Sequence, residues 1–354
     1  MNKYKIAVLS GDGIGPEVMA EALKVLKRTE KIFNMKFDIR ESRIGGAAID
    51  EFGTPLPSET VDNALSSDAV LLGSIGGHKW DNLPPEEKPE IGGLLKLRKK
   101  MDLFANIRPV ILYEKLKKFS PLSSDITNKK IDMVTVRELS SGIYFGQPKI
   151  ITDNYATDTM IYHKEEVERI VEIAFKIAEK RSGKITSIDK ANVLYSSMLW
   201  RKTVGNIHKK YKDIKLNHLY IDNAAMQMVL DPSQFDVLLT TNMFGDIISD
   251  ESAAITGSLG MLPSASIGKK INLFEPAGGS APDIAGKGIA NPIAQILSTA
   301  MMFEYSFNKP DFSKKIFNSV KETLNAGIMT RDISKDDNYV STSEMGDEII
   351  SRLS

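Results

Sequence analysis

Ile6-Ala7-Val8-Leu9-Ser10-Gly11-Asp12-Gly13-Ile14-Gly15-Pro16 sets the fold class. Four consecutive apolar residues suit a strand covered on both faces. The glycines of 11–15 make a tight turn. Pro16 then opens a helix, because a first-turn residue needs no N–H. Met19, Ala22, Leu23, Leu26 and Phe33 form the apolar side of that helix. The alternation continues. Ala69–Leu72 is a second buried strand and Ile131–Val136 a third. Val167, Ile170, Val171, Ala174 and Ile177 make a helical stripe up to Gly183. Leu216–Ile221 and Phe235–Leu239 are strands, each followed by a helical pattern, and Ser341 with Glu344 forms a capping box for the last helix. Strands alternating with helices predict an α/β protein with a largely parallel sheet. Lys149–Tyr162 breaks the rhythm: it alternates and is rich in Thr, Ile and Tyr. It is either a hairpin that pairs with a partner subunit or an ordinary edge strand.

Composition narrows the function. The chain has 354 residues, enough for about two domains. Lys plus Arg (46) equals Asp plus Glu (46), so no bulk field favours nucleic acid or an anionic membrane. There is no Cys, which removes thiol nucleophiles, disulfides, Fe–S clusters and Cys-type zinc sites. The four His, at 78, 163, 208 and 218, lack zincin spacing. The N-terminus does not read as a secretory signal, and no segment approaches the ~20 apolar residues of a membrane span. The expectation is a soluble, cytoplasmic protein with neither a membrane nor a nucleic acid as partner.

Four segments carry chemistry. Gly11–Gly15 invites comparison with a dinucleotide fingerprint, but Pro16 stands where the third glycine belongs, and a tight turn after any strand explains the glycines equally well. Arg98, Arg108 and Arg137 each fall near a strand or helix end. Arg108 precedes Pro109, so it is extended and at a structural boundary. Arg suits bidentate carboxylate binding. Three of them suggest an anionic pocket, although each alone reads as a solvated surface residue. Asp246 and Asp250 share a helical face after the strand Phe235–Leu239, and Asp222 has the same placement after Leu216–Ile221. Together they suit Mg²⁺ or Mn²⁺; singly, each is an acidic helix start. Finally, Glu275–Gly288 holds two prolines and four glycines, so it is either a nucleotide-binding surface or simply a long connection.

With these segments in hand, the chain resembles the isocitrate/isopropylmalate family of β-decarboxylating dehydrogenases over essentially its whole length. The matching motifs are Gly11-Asp12-Gly13-Ile14-Gly15-Pro16-Glu17, Leu103–Pro109, Val136-Arg137-Glu138-Leu139, Gly142-Ile143-Tyr144-Phe145-Gly146, Asn242–Asp250, Glu275–Asn291, Thr330-Arg331-Asp332 and Glu344-Met345-Gly346-Asp347. Some relatives carry His where this chain has Gly278. The resemblance implies two α/β domains without Rossmann topology. The cofactor-side domain would be discontinuous, 1–103 plus 258–354. Residues 104–257 would form the dimerisation and metal-binding domain, with an arm near 149–162.

The implied reaction is NAD-dependent, metal-dependent oxidative decarboxylation of 3-isopropylmalate in leucine biosynthesis. Arg98, Arg108 and Arg137 would clamp the malate carboxylates. Asp222, Asp246 and Asp250 would hold Mg²⁺ or Mn²⁺, with Asp222 also near substrate. Lys190 would take the C2 hydroxyl proton and Tyr144 would protonate the decarboxylated product. Leu94, Leu95 and Val193 would face the isopropyl group. The cofactor would meet Ile14, Gly76, Gly77, Glu90, Asn192, Glu275, Gly279, Ser280, Ala281, Asp283, Ile284 and Asn291. The enzyme would be a homodimer with shared sites, Lys190, Asn192, Val193 and Asp222 reaching into the neighbour's. Isocitrate, homoisocitrate and tartrate dehydrogenases share this chemistry. A non-catalytic subunit of the same fold would be expected to have lost part of the Arg–Asp–Lys–Tyr set, which is intact here.

Overall fold

A computed structural model describes residues 3–335 and 337–354. The chain folds as two compact units. The first comprises 1–103, 113–119 and 257–354; the second comprises 104–112 and 120–256. Tyr113–Phe119, which the sequence places in the central segment, thus groups with the first unit. Among the described residues, no helix is long and apolar enough to cross a membrane.

In the first unit the strands lie in the order Lys36–Glu41, Lys3–Gly11, Ala69–Ser74, Leu273–Pro276, Pro263–Gly268. All neighbours are parallel except the last pair. Every residue of Ala69–Ser74 is buried, as its unbroken apolar run requires. The helix Gly15–Phe33 buries Met19, Ala22 and Leu26, and Phe33 at its end stacks on Phe312 at 3.6 Å. The helix Ile293–Tyr305 is buried continuously from Ile293 to Phe303 and lies against the last two strands. Each large side chain covered this way contributes about 1.5–3 kcal/mol. The Ser341–Glu344 capping box closes as expected: Glu344 N donates to Ser341 Oγ at 3.2 Å and Ser341 N to Glu344 Oε2 at 2.8 Å.

In the second unit the order is Leu103–Ile111, Asp132–Glu138, Val237–Thr240, Lys184–Asp189, Lys215–Tyr220, parallel except for the first pair. The helix Lys164–Glu179 buries Val167, Ile170, Val171 and Ala174 against the central strands. The strand expected at 235–239 begins only at Val237, because Pro232–Gln234 makes a short helical turn before it and Asp236 is taken by Arg181 and Ser182. Arg108 corrects a second expectation. It is extended, but it lies inside the Leu103–Ile111 strand, not at its boundary. Pro109 removes one donor, yet the register continues on both sides of it, with Arg108 opposite Thr135 and Val110 opposite Met133. Residues 149–162 form a hairpin of their own, Lys149–Ile151 against Ala156–Asp158, rather than an edge strand of the larger sheet. Its strands are exposed throughout.

The Arg181 cluster gives this unit a pH signature. Burial pushes the Asp132 carboxyl up, but Arg181 at 2.8 Å and Lys130 at 3.0 Å outweigh it and hold the carboxyl below its ordinary 3.8. A depressed folded value means that the stability is present above the unfolded value and is lost as pH falls through the folded one. Asp132→Asn should therefore cost about 1 kcal/mol at neutral pH, with the difference shrinking in acid. Urea unfolding at pH 7 and near pH 3 checks this; an equal difference at both contradicts it.

Candidate active site

The second unit gathers charge around Asp246. Strand Leu103–Ile111 presents Arg108, strand Asp132–Glu138 presents Arg137 near its end, and the turn Gly142–Tyr144 presents Tyr144. The helix Asn242–Ile255 carries Asp246 and, one turn on, Asp250. Arg137 Nη1 donates to Asp246 Oδ1, and Arg108 Nη2 lies 3.6 Å from the same oxygen. Tyr144 donates its hydroxyl to Asp246 Oδ2 at 2.9 Å. Arg108 Nη1 reaches Asp250 at 3.3 Å and Ser249 Oγ at 2.7 Å, while its Nε donates to Asn106 at 2.7 Å. Both guanidinium groups are buried. The two Arg and two Asp that the sequence singled out in these segments thus meet at one place.

Electrostatics follow from that packing. Burial pushes the Asp250 carboxyl up and Asp246 adds to the push, against Arg108 and Arg137. Two neighbouring carboxylates that repel one another are a place where a cation relieves repulsion. Burial also raises the Tyr144 phenol, and Asp246 reinforces this, so Tyr144 keeps its proton. The helix approaches the strand closely because Gly245 has no side chain. A Cβ there would stand 2.2 Å from Thr240 Oγ1 and 2.7 Å from Arg137 Cγ. Gly245→Ala should cost about 1–3 kcal/mol of stability and displace Arg137. Denaturant melts test the first effect and crystallography the second; an unchanged midpoint would show that the contact yields freely.

Lys190 and Asp222 sit together elsewhere in this unit. Lys190 Nζ donates to Asp222 Oδ1 at 2.7 Å, which holds the Asp222 carboxyl below the usual range. Lys190 follows the strand Lys184–Asp189, and Asp222 stands in the first turn of helix Ile221–Leu230. Asp222, expected to reach into the neighbouring subunit's site, does not join Asp246 and Asp250 within one chain: among the described residues no three acidic or His side chains are grouped to hold a metal ion. Asn192 and Val193, just after Lys190, are exposed.

The first unit holds the remaining candidates. A cavity of about 400 Å³ is lined by Ile14, Gly279, Ala281, Ile284 and Asn291 among the expected cofactor residues. Val18, Leu259 and Gln295 also line it and were not singled out from sequence, whereas Ile289 and Asp332 lie in quoted motifs without an assigned role. Val18 was within reach, one helical turn after Ile14. The others come from separate segments that no spacing connects. Ile14 N donates to Ser280 O at 2.8 Å, and a Cβ on Gly13, whose φ is +58°, would stand 2.0 Å from that carbonyl. Only glycine allows this approach. At Gly278 a Cβ would touch Leu259 at an ordinary 3.6 Å, so close packing does not require glycine there.

Asp12, in the same turn, accepts backbone N–H bonds from Gly46, Ala47 and Gly76 at 2.7–2.9 Å and so fixes the start of the 76–90 loop. Burial pushes its carboxyl up, against those three bonds and with Glu90 adding to the push. Asp283 is exposed and Glu275 is buried; neither lines the cavity. Glu275 instead accepts from Arg98 Nη2 at 2.6 Å, while the buried Arg98 Nε has no hydrogen-bond partner among the described residues. Leu94 and Leu95 are half-buried at the end of a widened helical turn, Pro89–Leu95, that leads into Lys96–Lys100 and Arg98.

The family model for isocitrate/isopropylmalate dehydrogenase matches residues 5–349. The chain belongs to the isocitrate/isopropylmalate dehydrogenase family. As such, it is 60% identical over 350 residues to a 3-isopropylmalate dehydrogenase of Thermotoga maritima, covering 99% of each chain. It is 57% identical over 351 residues to a 3-isopropylmalate dehydrogenase of Haemophilus influenzae, covering 98% of each. Among solved structures, an isocitrate dehydrogenase from Methylococcus capsulatus superposes with a TM-score of 0.86 at 35% identity, covering 99% of both chains. The α/β class and the family resemblance expected from the motifs are borne out, and this is a dehydrogenase of that family.

Proposed function

We propose that this protein catalyses the NAD-dependent, divalent-metal-dependent oxidative decarboxylation of (2R,3S)-3-isopropylmalate to 4-methyl-2-oxopentanoate and CO₂, a step of leucine biosynthesis, in the cytoplasm. The observation that carries this is the convergence of Arg108, Arg137 and Tyr144 on Asp246, with Asp250 one turn away. Two buried guanidinium groups suit a dicarboxylate, and hard carboxylate oxygens suit Mg²⁺ or Mn²⁺. Asp246 and Asp250 would hold the cation from one chain and Asp222 from the partner. When bound, the cation polarises the C2 oxygen and NAD⁺ accepts the hydride from C2. Arg108, Arg137 and Arg98 fix the malate carboxylates, and the unpaired Arg98 Nε has a donor to spare. Lys190 takes the C2 hydroxyl proton. Tyr144, which keeps its proton in these surroundings, hands it to the carbon that CO₂ leaves.

The cavity of the first unit suits the adenosine half of NAD, with apolar walls for the base and Asn291 and Asp332 at its polar side. Glu90, Gly76 and Gly77 would stand on the nicotinamide side. Asp283 would accept from the adenosine ribose hydroxyls and repel a 2′-phosphate, as the acidic residue of Rossmann enzymes does. NAD⁺ is thus expected to be favoured over NADP⁺ by at least about tenfold in kcat/KM. Leu94, Leu95 and Val193 would receive the isopropyl group. A third carboxylate, as in isocitrate, would be buried there without a partner.

A homodimer accounts for the two half-sites of the second unit. On helix Ile221–Leu230, Asp222 shares a face with the exposed Met226, Val229 and Leu230; on helix Asn242–Ile255, Asp250 shares a face with the exposed Ile247. Apolar side chains uncovered beside both sets of carboxylates fit a second copy of this chain. The exposed hairpin at 149–162, with Ile151 and Tyr155 outward, would extend the same contact.

The direct test is NAD⁺ reduction by the purified protein with Mn²⁺ or Mg²⁺ and a panel of 2-hydroxy acids. Strong preference for 3-isopropylmalate is expected. Equal or better kcat/KM with isocitrate would overturn the substrate assignment. A preference for NADP⁺ would overturn the role of Asp283.

A further inference from the structure

Asn242 opens the helix that carries Asp246 and Asp250, yet neither the metal nor the arginine clamp assigns it a task. It is fully buried, and each of its polar groups is used. Its Oδ1 accepts from Arg137 Nε at 3.1 Å and from Arg137 Nη2 at 2.8 Å. Its Nδ2 donates to Ser141 O at 2.9 Å, and its backbone N–H donates to the Tyr162 hydroxyl at 2.9 Å. The amide orientation follows from the partners: a guanidinium only donates and a carbonyl only accepts, so Oδ1 faces Arg137 and Nδ2 faces Ser141. Ser141 leads directly into the turn Gly142–Tyr144. One side chain thus ties the strand of Arg137, the turn of Tyr144 and the helix of Asp246.

The chemistry of this contact differs from a salt bridge. The Nε–Nη2 edge of Arg137 is the fork that a carboxylate would take bidentately. A single carboxamide oxygen occupies it, which orients the guanidinium without cancelling its charge. The Nη1 end is turned toward Asp246. We propose that Asn242 is a positioning residue for substrate binding: an uncharged acceptor that locks one edge of Arg137, aims its other end toward Asp246 and the site, and adds no further negative charge to compete with an anionic substrate. This rests on the reading that Arg137 holds a malate carboxylate.

The test compares wild type with Asn242→Asp, Arg137→Gln and the double variant, all as full-length enzyme with saturating Mn²⁺, varying 3-isopropylmalate at saturating NAD⁺ and NAD⁺ at saturating 3-isopropylmalate. Asn242→Asp is nearly isosteric and keeps the acceptor toward Arg137, but it loses the donor to Ser141 O and places a competing negative charge on Arg137. KM for 3-isopropylmalate should rise by about tenfold or more, well beyond any fall in kcat, with KM for NAD⁺ unchanged. In the Arg137→Gln background the same substitution should add less than about twofold, because its effect acts through the guanidinium. An unchanged KM in Asn242→Asp, with only a lowered melting temperature, would make Asn242 merely structural. A full additional loss in the double variant would show that it acts independently of Arg137. If Arg137→Gln itself leaves KM unchanged, the substrate-clamp reading fails and this inference with it. If Arg137→Gln raises KM and Asn242→Asp does not, only the inference falls.

Discussion

Asp246→Asn should reduce turnover by roughly a hundredfold or more. Loss of a residue that merely supports a metal ligand typically costs about 10–100-fold in metal affinity or activity, and a ligand itself belongs at or above the top of that range. Asp246 is also the acceptor on which Arg108, Arg137 and Tyr144 meet. Asparagine keeps the shape and one oxygen but removes the charge that attracts a divalent cation. The fold should survive. Arg137 retains Asn242, and Arg108 retains Asn106, Ser249 and Asp250. The repulsion between Asp246 and Asp250 is relieved at the same time. A net stability change of about 1 kcal/mol is therefore expected, by contrast with the large effect on function. Calorimetric titration with Mn²⁺ in the absence of substrate reads the affinity loss without relying on turnover. Wild-type Mn²⁺ affinity in the variant, or full wild-type activity in excess EDTA, would remove the metal role.

The features legible in the sequence were those with local causes. The strand–turn–helix of Ile6–Pro16 follows from an apolar run, glycines and a proline, and the shared face of Asp246 and Asp250 follows from their four-residue spacing. What stayed hidden depends on partners far along the chain. Arg108 and Asp246 are brought together by sheet order, which no spacing encodes. Proline after Arg108 argued for a boundary, but pairing with Asp132–Glu138 on both sides of it carried the strand through. The cavity wall draws on the turn at Ile14, the segment around Leu259 and the helix of Gln295, so no single stretch of sequence shows it whole. Asn242 opens the quoted Asn242–Asp250 motif, but its own contacts are not legible there, because a small polar residue at a helix start reads as ordinary terminus chemistry. For Asp222 local position says nothing about which site it serves: three acidic residues in equivalent places look alike, and only the family resemblance assigns Asp222 to the neighbouring subunit.

Mixing two inactive variants should restore about a quarter of wild-type activity, an effect that starts from essentially none. Within one chain, Lys190 is engaged by Asp222, whereas Arg108 faces Asp246 and Asp250. If each site takes Lys190 and Asp222 from one subunit and Arg108, Tyr144, Asp246 and Asp250 from the other, then Lys190→Ala and Arg108→Ala disable different halves. Each homodimer is inactive at both sites. With random pairing of equal amounts, about half of the dimers are mixed. In a mixed dimer, one site receives the Lys190→Ala half from one chain and the Arg108→Ala half from the other. It carries both defects, and the second site, assembled from the remaining halves, carries none. One intact site in half of the dimers is about a quarter of the total. A site built within a single chain predicts the opposite, because every site then keeps one defect however the chains are paired. The measurement is specific activity of co-expressed, differently tagged chains, with the mixed dimers isolated on both tags and their composition verified. Isolated mixed dimers should reach about half of wild type, one site of two. Their inactivity would leave the chemistry at Asp246 standing and remove the shared site.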